Sequence, residues 1–129
     1  MKMLGLLLAP LLFGCTADRG PIDGREASAL QNRLAGRVAG EPRRCVPAIQ
    51  GVALDPVDAR TLVYDTPGTL YVNRLIADCP SLRASSSIIV ETGGDQYCAG
   101  DRVRAFEPGD RVPGPVCRLG EFTPYRSRG

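Results

Sequence analysis

This sequence of 129 residues contains five cysteines and no histidine. The side chains best suited to chemistry are therefore the cysteines and the carboxylates of Asp and Glu. Without histidine, neither a Ser-His-Asp triad nor a Cys-His pair can form, and zinc sites with histidine ligands are excluded. No two cysteines have the CxxC spacing that is typical of zinc and redox motifs. We therefore predict no catalytic residue, no metal and no cofactor, and expect the cysteines to serve anchoring and structure.

The first cysteine, Cys15, closes a short apolar segment. Lys2 precedes an apolar run of 11 residues, Met3–Phe13 (MLGLLLAPLLF). A transmembrane helix needs about 20 apolar residues, so this run has the length of an export signal. The segment 12–15 (LFGC) resembles the lipobox of bacterial lipoproteins, although Phe13 is larger than the residue usual there.

This resemblance implies that residues 1–14 are a signal peptide and that Cys15 is the lipidated N-terminus of the mature chain. Several acyl chains anchor a protein durably, because each buried CH₂ contributes about 0.8 kcal/mol. Thr16 follows the cysteine, and the absence of Asp there implies an outer-membrane lipoprotein that faces the periplasm. Simple cleavage after Ala17 is the alternative, and it would give a secreted periplasmic protein.

Four cysteines remain in the mature chain: Cys45, Cys79, Cys98 and Cys117. Their number is even, and disulfides form and persist outside the cytoplasm. Four cysteines allow three pairings. We predict Cys79 with Cys98, across the strand between them, and Cys45 with Cys117, joining the first strand to the last.

Asp101 and Glu121 each follow a cysteine and a glycine, in the segments 98–101 (CAGD) and 117–121 (CRLGE). Two neighbouring carboxylates can act as the acid and base of a glycoside hydrolase. The alternative is structural: Asp101 caps a turn through backbone N–H groups, and Glu121 pairs with an arginine. We favour the structural interpretation, because sugar-binding clefts are usually rich in aromatic residues and only 5% of this chain is aromatic.

A candidate binding surface combines these carboxylates with polar aromatic and amide side chains. Its members are Tyr71, Asn73, Asp101, Glu121 and Tyr125. Tyr71 and Asn73 are two residues apart, so a strand would place them on one face. The alternative for the tyrosines is a half-buried cluster packed across strands. The end of the chain, 125–128, contains arginines that can contact anionic lipid headgroups, although a frayed end is the default.

The mature chain is predicted to begin with a lipid-anchored tether, residues 15–26, which is polar and contains Gly and Pro. Residues 27–129 then form a single domain. An amphipathic helix is predicted over 26–38, ended by Gly40-Glu41-Pro42. Its apolar stripe consists of Ala27, Leu30, Leu34 and Val38.

Beyond residue 45, apolar residues alternate with period two and Gly or Pro recurs every few residues, which favours short strands. Strands are predicted at 45–54, 60–65, 69–75, 87–92 and 101–106, and a last short strand is predicted within 115–122. Hairpin turns are predicted at Thr66-Pro67-Gly68 and at Gly93-Gly94-Asp95, the latter leading into 96–98. The predicted fold is mainly β: a small antiparallel barrel or sandwich of about six short strands with one N-terminal helix, braced by disulfides.

Charge is nearly balanced along the chain, with a formal net charge of +2 and no block of like charge. A nucleic-acid-binding domain usually carries a basic stripe or patch. The sequence therefore argues against nucleic acid as a partner.

Four segments resemble an uncharacterised family of small exported bacterial proteins with a four-cysteine β domain. The segments are 34–40 (LAGRVAG), 70–74 (LYVNR), 98–101 (CAGD) and 117–125 (CRLGEFTPY). The resemblance implies export and disulfides, and it brings no activity or catalytic residues with it.

Together these features predict a non-enzymatic lipoprotein of the bacterial cell envelope, with a structural or interaction role. Its expected partners are the membrane, through the lipid anchor, and an envelope protein or the cell wall. A periplasmic inhibitor or ligand-binding module is the second hypothesis. A hydrolase that uses Asp101 and Glu121 is the third.

Overall fold

The computed structural model describes residues 21–91 and 94–128, and of residues 21–27 it describes the helical backbone. These residues form one α-helix and ten short β-strands. In chain order the elements are α1 (Pro21–Leu34), β1 (Arg37–Ala39), β2 (Cys45–Pro47), β3 (Leu54–Pro56), β4 (Thr61–Thr66), β5 (Thr69–Arg74), β6 (Ser87–Glu91), β7 (Gln96–Cys98), β8 (Arg102–Phe106), β9 (Val116–Arg118) and β10 (Phe122–Ser127).

An antiparallel five-stranded sheet, in the order β1-β10-β5-β4-β3, forms the centre of the fold. Its longest pairing is the hairpin of β4 and β5, in which Thr66 lies opposite Thr69. Pro67 and Gly68 make the turn, and Gly68 has a φ of 80°, a conformation that glycine adopts without steric cost. The hairpin predicted at Thr66-Pro67-Gly68 is confirmed.

Both faces of the two central strands are covered, so that all but one residue of β4 and all but one residue of β5 are buried. On one face, Leu62 and Tyr64 of β4 and Tyr71 of β5 belong to the main core. On the other face, Val63 and Leu70 belong to a smaller core under the helix. Each such side chain contributes about 1.5–3 kcal/mol when it is fully buried, so the sheet is stabilised from both sides.

Helix α1 packs Leu30 and Leu34 against the smaller core, as their spacing predicts. The helix begins at Pro21, five residues earlier than predicted. The last six residues of the predicted tether, 21–26, are therefore helical. The rest of the tether lies outside the described residues.

The helix also ends earlier than the predicted 26–38. Gly36 has a φ of 74°, and a left-handed residue just after the last turn is a common helix stop. Val38, which the apolar stripe assigned to the helix, lies in the edge strand β1 instead. The left-handed conformation of Gly36 thus ends the helix, although the helical spacing of apolar residues continues to Val38.

Two smaller sheets, β6-β8-β9 and β2-β7, lie on the other side of the main core. Val46 of β2 and Val103 of β8 meet Leu62 of the large sheet within one buried cluster. The large sheet is open, because β1 and β3 form its two edges. The described chain is therefore a mainly β sandwich with one helix, as predicted, and not a closed barrel.

The hairpin predicted at Gly93-Gly94-Asp95 is wrong. Strand β6 pairs with β8, and β7 pairs with β2. The chain turns back only after β7, at Gly100, whose φ is 90°. The partner of β6 is therefore decided by long-range packing and not by the nearest turn residues.

One predicted strand is divided in the structure, and the segment predicted to hold the last strand holds the last but one. The segment 45–54 contains β2 and the start of β3, with a turn at Gly51 between them. The segment 115–122 contains β9 and only the first residue of β10. Strand β10 continues to Ser127 and lies between β1 and β5, so the end of the chain is part of the sheet and not a frayed tail.

The predicted cysteine pairing is also wrong: disulfides join Cys45 to Cys98 and Cys79 to Cys117. Cys45 and Cys98 lie opposite each other in the register of β2 and β7, with their Cα atoms 4.0 Å apart. The Cα atoms of Cys79 and Cys117 are 5.9 Å apart, and this bond ties the segment after β5 to β9. The disulfides thus brace the two smaller sheets.

Candidate binding surfaces

Asp101 has the capping role that the structural interpretation predicts. Its Oδ2 accepts a hydrogen bond from the backbone N–H of Cys98 at 2.8 Å. Its own backbone N–H donates to the Cys98 carbonyl at 3.0 Å. The carboxylate is therefore engaged in the turn between β7 and β8, and Asp101 does not line the groove that contains Glu121.

Tyr71 and Asn73 do share a strand face, but that face is turned into the core. The Tyr71 ring lies 6.1 Å from that of Tyr64 and 6.3 Å from that of Phe122, measured between centroids. Asn73 is 0% exposed. Both residues are therefore removed from the candidate binding surface. Tyr71 instead joins Tyr64, Tyr97 and Phe122 in the cross-strand cluster that was the alternative.

Tyr64 lies at the centre of this cluster with its hydroxyl fully hydrogen-bonded. The hydroxyl donates to the Pro47 carbonyl at 2.9 Å and accepts from the Ile49 N–H at 2.8 Å. Burial raises the pKa of Tyr64 above its usual value, and the hydrogen bond from Ile49 only partly opposes this. The phenol therefore stabilises the fold and is not available to a ligand.

Glu121 and Tyr125, the remaining predicted residues, lie together in a groove of about 300 Å³ on the helix side of the large sheet. The lining residues are Pro42, Val72, Arg74, Glu121, Thr123 and Tyr125. Val72 of β5 lies opposite Thr123 of β10 and forms the floor with it. Arg74 ends β5 and Glu121 directly precedes β10, two residues from this pair. The groove therefore has a cation and an anion at one end.

The polar groups of this groove are not paired with one another. Within residues 21–91 and 94–128, the Arg74 guanidinium and the Glu121 carboxylate form no ion pair or hydrogen bond. The Tyr125 hydroxyl has no hydrogen-bond partner in the same residues. All three groups can therefore bind a ligand without breaking an internal bond.

A second polar surface lies on the outer face of the three-stranded sheet. Glu91 Oε2 accepts hydrogen bonds from Arg102 Nη2 at 2.7 Å and Nε at 3.0 Å, and Oε1 accepts one from Arg104 Nε at 2.6 Å. These bonds lower the pKa of Glu91 below its usual value. The carboxylate in turn holds both guanidinium groups in place.

Exposed aliphatic side chains lie beside Arg104. Ile89 and Val116 flank Arg104 on the neighbouring strands, and both are exposed. Arg118 lies opposite Arg102. We call this surface the arginine face, and its residues are Ile89, Glu91, Arg102, Arg104, Val116 and Arg118. Its three arginines outnumber its one glutamate, so the arginine face is positively charged.

The arginine face and Arg74 are the functional candidates that the sequence interpretation missed. The alternation in 102–105 (RVRA) was enough to place Arg102 and Arg104 on the solvent side of a strand. The role of Glu91 was hidden, because it depends on the pairing of β6 with β8 that the turn residues mispredict. Arg74 depends in the same way on the long-range pairing of β5 with β10.

No protein-family model, no curated protein and no solved structure matches this chain. The resemblance to exported four-cysteine proteins, the signal peptide and the lipidation of Cys15 stay predictions, and residues 1–20 lie outside the described residues. Among the residues that the structure does describe, no helix has the length and apolar character needed to cross a membrane. The same residues contain no group of three or more Cys, Asp or Glu side chains placed to hold a metal ion.

Proposed function

We propose that this chain is an exported, non-enzymatic binding domain of the bacterial cell envelope, anchored at the outer membrane through Cys15 and facing the periplasm. It contacts an acidic protein partner through the arginine face. The observation that carries this proposal is the combination of preorganised arginines with exposed aliphatic side chains on one sheet face.

The two disulfides support the location outside the cytoplasm. Disulfides form in the periplasm, whereas cysteine thiols in the cytosol of most bacteria are kept reduced. The lipobox-like segment that ends at Cys15 supports the anchor.

The composition of the arginine face fits a protein partner. Arginine is enriched in protein–protein interfaces, where its planar guanidinium binds carboxylates in a bidentate manner. Arg102 and Arg104 are already oriented by Glu91, so they lose less conformational freedom on binding than free side chains do. The excess of positive charge selects an acidic surface.

The hydrolase alternative has less support. An acid–base mechanism needs two carboxylates on either side of the bond to be cleaved. The groove lining contains one carboxylate, that of Glu121, while Asp101 caps its own turn. A binding role therefore agrees better with the arrangement of the described residues.

A site-specific crosslinking experiment tests the binding face. A photoreactive amino acid replaces Ile89 in the full chain expressed in its native envelope, and the matched control carries it at the exposed helix residue Ser28. We expect a protein adduct from position 89 that is absent from position 28 and disappears with Arg118→Glu. The adduct partner, once purified, is expected to bind at least tenfold more weakly to Arg118→Glu than to Arg118→Lys. Equal adducts at both positions, or no effect of charge reversal, would overturn the proposed face.

Membrane fractionation tests the anchor separately. The wild-type chain is expected in the membrane fraction with an acylated Cys15, measured by mass spectrometry. Cys15→Ala is expected to abolish acylation and membrane retention. A mature wild-type N-terminus at Asp18 without lipid would contradict the anchor and leave the binding face to be judged by the crosslinking result.

A further inference from the structure

The groove beside the helix is lined by two opposite charges, Arg74 and Glu121, that form no ion pair with each other. Arg74 is the last residue of β5, and Glu121 directly precedes β10, one residue beyond the paired Asn73 and Phe122. Opposite charges at the ends of paired strands commonly form cross-strand ion pairs. Here neither charge has a partner among residues 21–91 and 94–128, in contrast to Glu91, which binds two arginines.

We infer that this groove is a binding site for a small zwitterion, an α-amino acid or a short peptide with a free ammonium and a free carboxylate group. The ligand carboxylate binds the Arg74 guanidinium, which presents two parallel N–H donors. The ligand ammonium binds the Glu121 carboxylate. A ligand with only one of these charges leaves the other side chain of the pair unsatisfied.

The rest of the lining fits the same class of ligand. Val72 and Pro42 offer apolar contact for an aliphatic side chain. Thr123 and Tyr125 add hydroxyl groups that can bind a peptide or carboxylate oxygen. A volume of about 300 Å³ is at the small end of ligand sites, which typically range over about 300–1,000 Å³. The groove therefore fits an amino acid or dipeptide better than an oligosaccharide or nucleotide.

This site is independent of the arginine face. The groove lies on the helix side of the large sheet, whereas the arginine face lies beyond the main core on the three-stranded sheet. A variant in one surface therefore leaves the other unchanged, and either proposal can fail alone.

Nuclear magnetic resonance titration of the full mature chain tests the inference with four defined probes. These are L-leucine, glycyl-L-leucine, N-acetyl-glycyl-L-leucine and glycyl-L-leucine amide. We expect chemical-shift changes at Val72 and Thr123 with one or both zwitterions, and at least tenfold weaker binding of the acetylated and amidated forms. Binding of L-leucine identifies an amino-acid site, whereas binding of glycyl-L-leucine alone identifies a peptide site.

Charge-neutral variants then assign each end of the ligand. Arg74→Gln is expected to weaken glycyl-L-leucine binding at least tenfold and to abolish the preference over the amide. Glu121→Gln is expected to abolish the preference over the acetylated form. The matched control Arg83→Gln removes an exposed arginine outside the groove and is expected to bind as the wild type does. No binding of either zwitterion at millimolar concentration, or equal binding of the blocked forms, would overturn the inference.

Discussion

The side-chain amide of Asn73 forms two hydrogen bonds with the backbone of Gly120. Asn73 Nδ2 donates to the Gly120 carbonyl at 2.8 Å, and the Gly120 N–H donates to Asn73 Oδ1 at 2.9 Å. The two residues are 47 positions apart in the chain. This pair fixes the segment between β9 and β10 on strand β5, with Leu119 buried in the core and Glu121 in the groove.

Replacement of Asn73 by alanine is expected to lower the free energy of unfolding by about 2–4 kcal/mol, because both backbone groups of the partly buried Gly120 lose their partner. Urea denaturation measures the change. Asn73→Asp keeps the acceptor but turns a carboxylate oxygen toward the Gly120 carbonyl, so it is expected to be destabilising as well. The exposed Asn32→Ala on α1 is the control, and equal stabilities of the three variants would contradict the role of the pair.

Gly120 itself is fixed by a close backbone approach. A Cβ atom at this position would overlap the carbonyl oxygen of Arg74, which cannot move aside as a flexible side chain does. Gly120→Ala is therefore expected to destabilise the fold by about 1–3 kcal/mol, the usual range for overpacking. Gly94→Ala is the matched control, because a Cβ there meets no atom within 4 Å. A Gly120→Ala variant as stable as Gly94→Ala would refute the steric argument.

The disulfide pairing gives a direct prediction for peptide mapping. Trypsin cleaves after arginine and places the four cysteines in four different peptides, 45–60, 75–83, 84–102 and 112–118. Without reductant, 45–60 is expected to be linked to 84–102, and 75–83 to 112–118. A linkage of 75–83 to 84–102 would show a different pairing. Labelling of the unfolded, unreduced domain is expected to find no free thiol among these four cysteines.

Local features of the fold were predictable, and features that depend on distant partners were not. The turn at Pro67-Gly68 is fixed by the conformational preferences of two adjacent residues, so the sequence suffices to place it. The spacing of Leu30 and Leu34 likewise shows the buried side of the helix. The cysteine pairing and the partner of β6 depend on how separate strands pack, and no short segment contains that information.

In the candidate site, too, local features were predictable and features that depend on distant strands were not. Period-two alternation correctly places Tyr71 and Asn73 on one face, but it does not show which face is covered. Strand β5 is central in a sheet buried on both sides, so these residues became core. Glu121 and Tyr125 lie at the groove because β10 pairs with β5, and Arg74 joins them through that pairing alone.

The cluster around Glu91 predicts a specific acid response. Its pKa is lower in the folded than in the unfolded chain, so the stability it contributes is present above the unfolded pKa and is lost as the pH falls through the folded pKa. Removing the donors with Arg102→Gln and Arg104→Gln is expected to raise the Glu91 pKa toward 4.5, its value without such partners. A ¹³C titration of the Glu91 carboxylate measures this. The control Arg102→Lys keeps a cation and is expected to give a smaller rise, and an unchanged pKa in the double variant would contradict the hydrogen-bonded cluster.

Tyr64 predicts the opposite, alkaline response. Burial raises its folded pKa above the ordinary 10.0, so its contribution to stability is complete below pH 10 and is lost as the pH rises through the folded pKa. Tyr64→Phe removes this alkaline loss, because phenylalanine does not ionise.

At neutral pH, Tyr64→Phe is expected to lower the free energy of unfolding by about 1–3 kcal/mol, since the N–H of Ile49 and the carbonyl of Pro47 lose their partner. Denaturation at neutral pH and just above pH 10 measures both effects, with Tyr125→Phe as the control, whose hydroxyl has no partner among the described residues. An alkaline loss of stability that is equal in the wild type and Tyr64→Phe would show that another group is responsible.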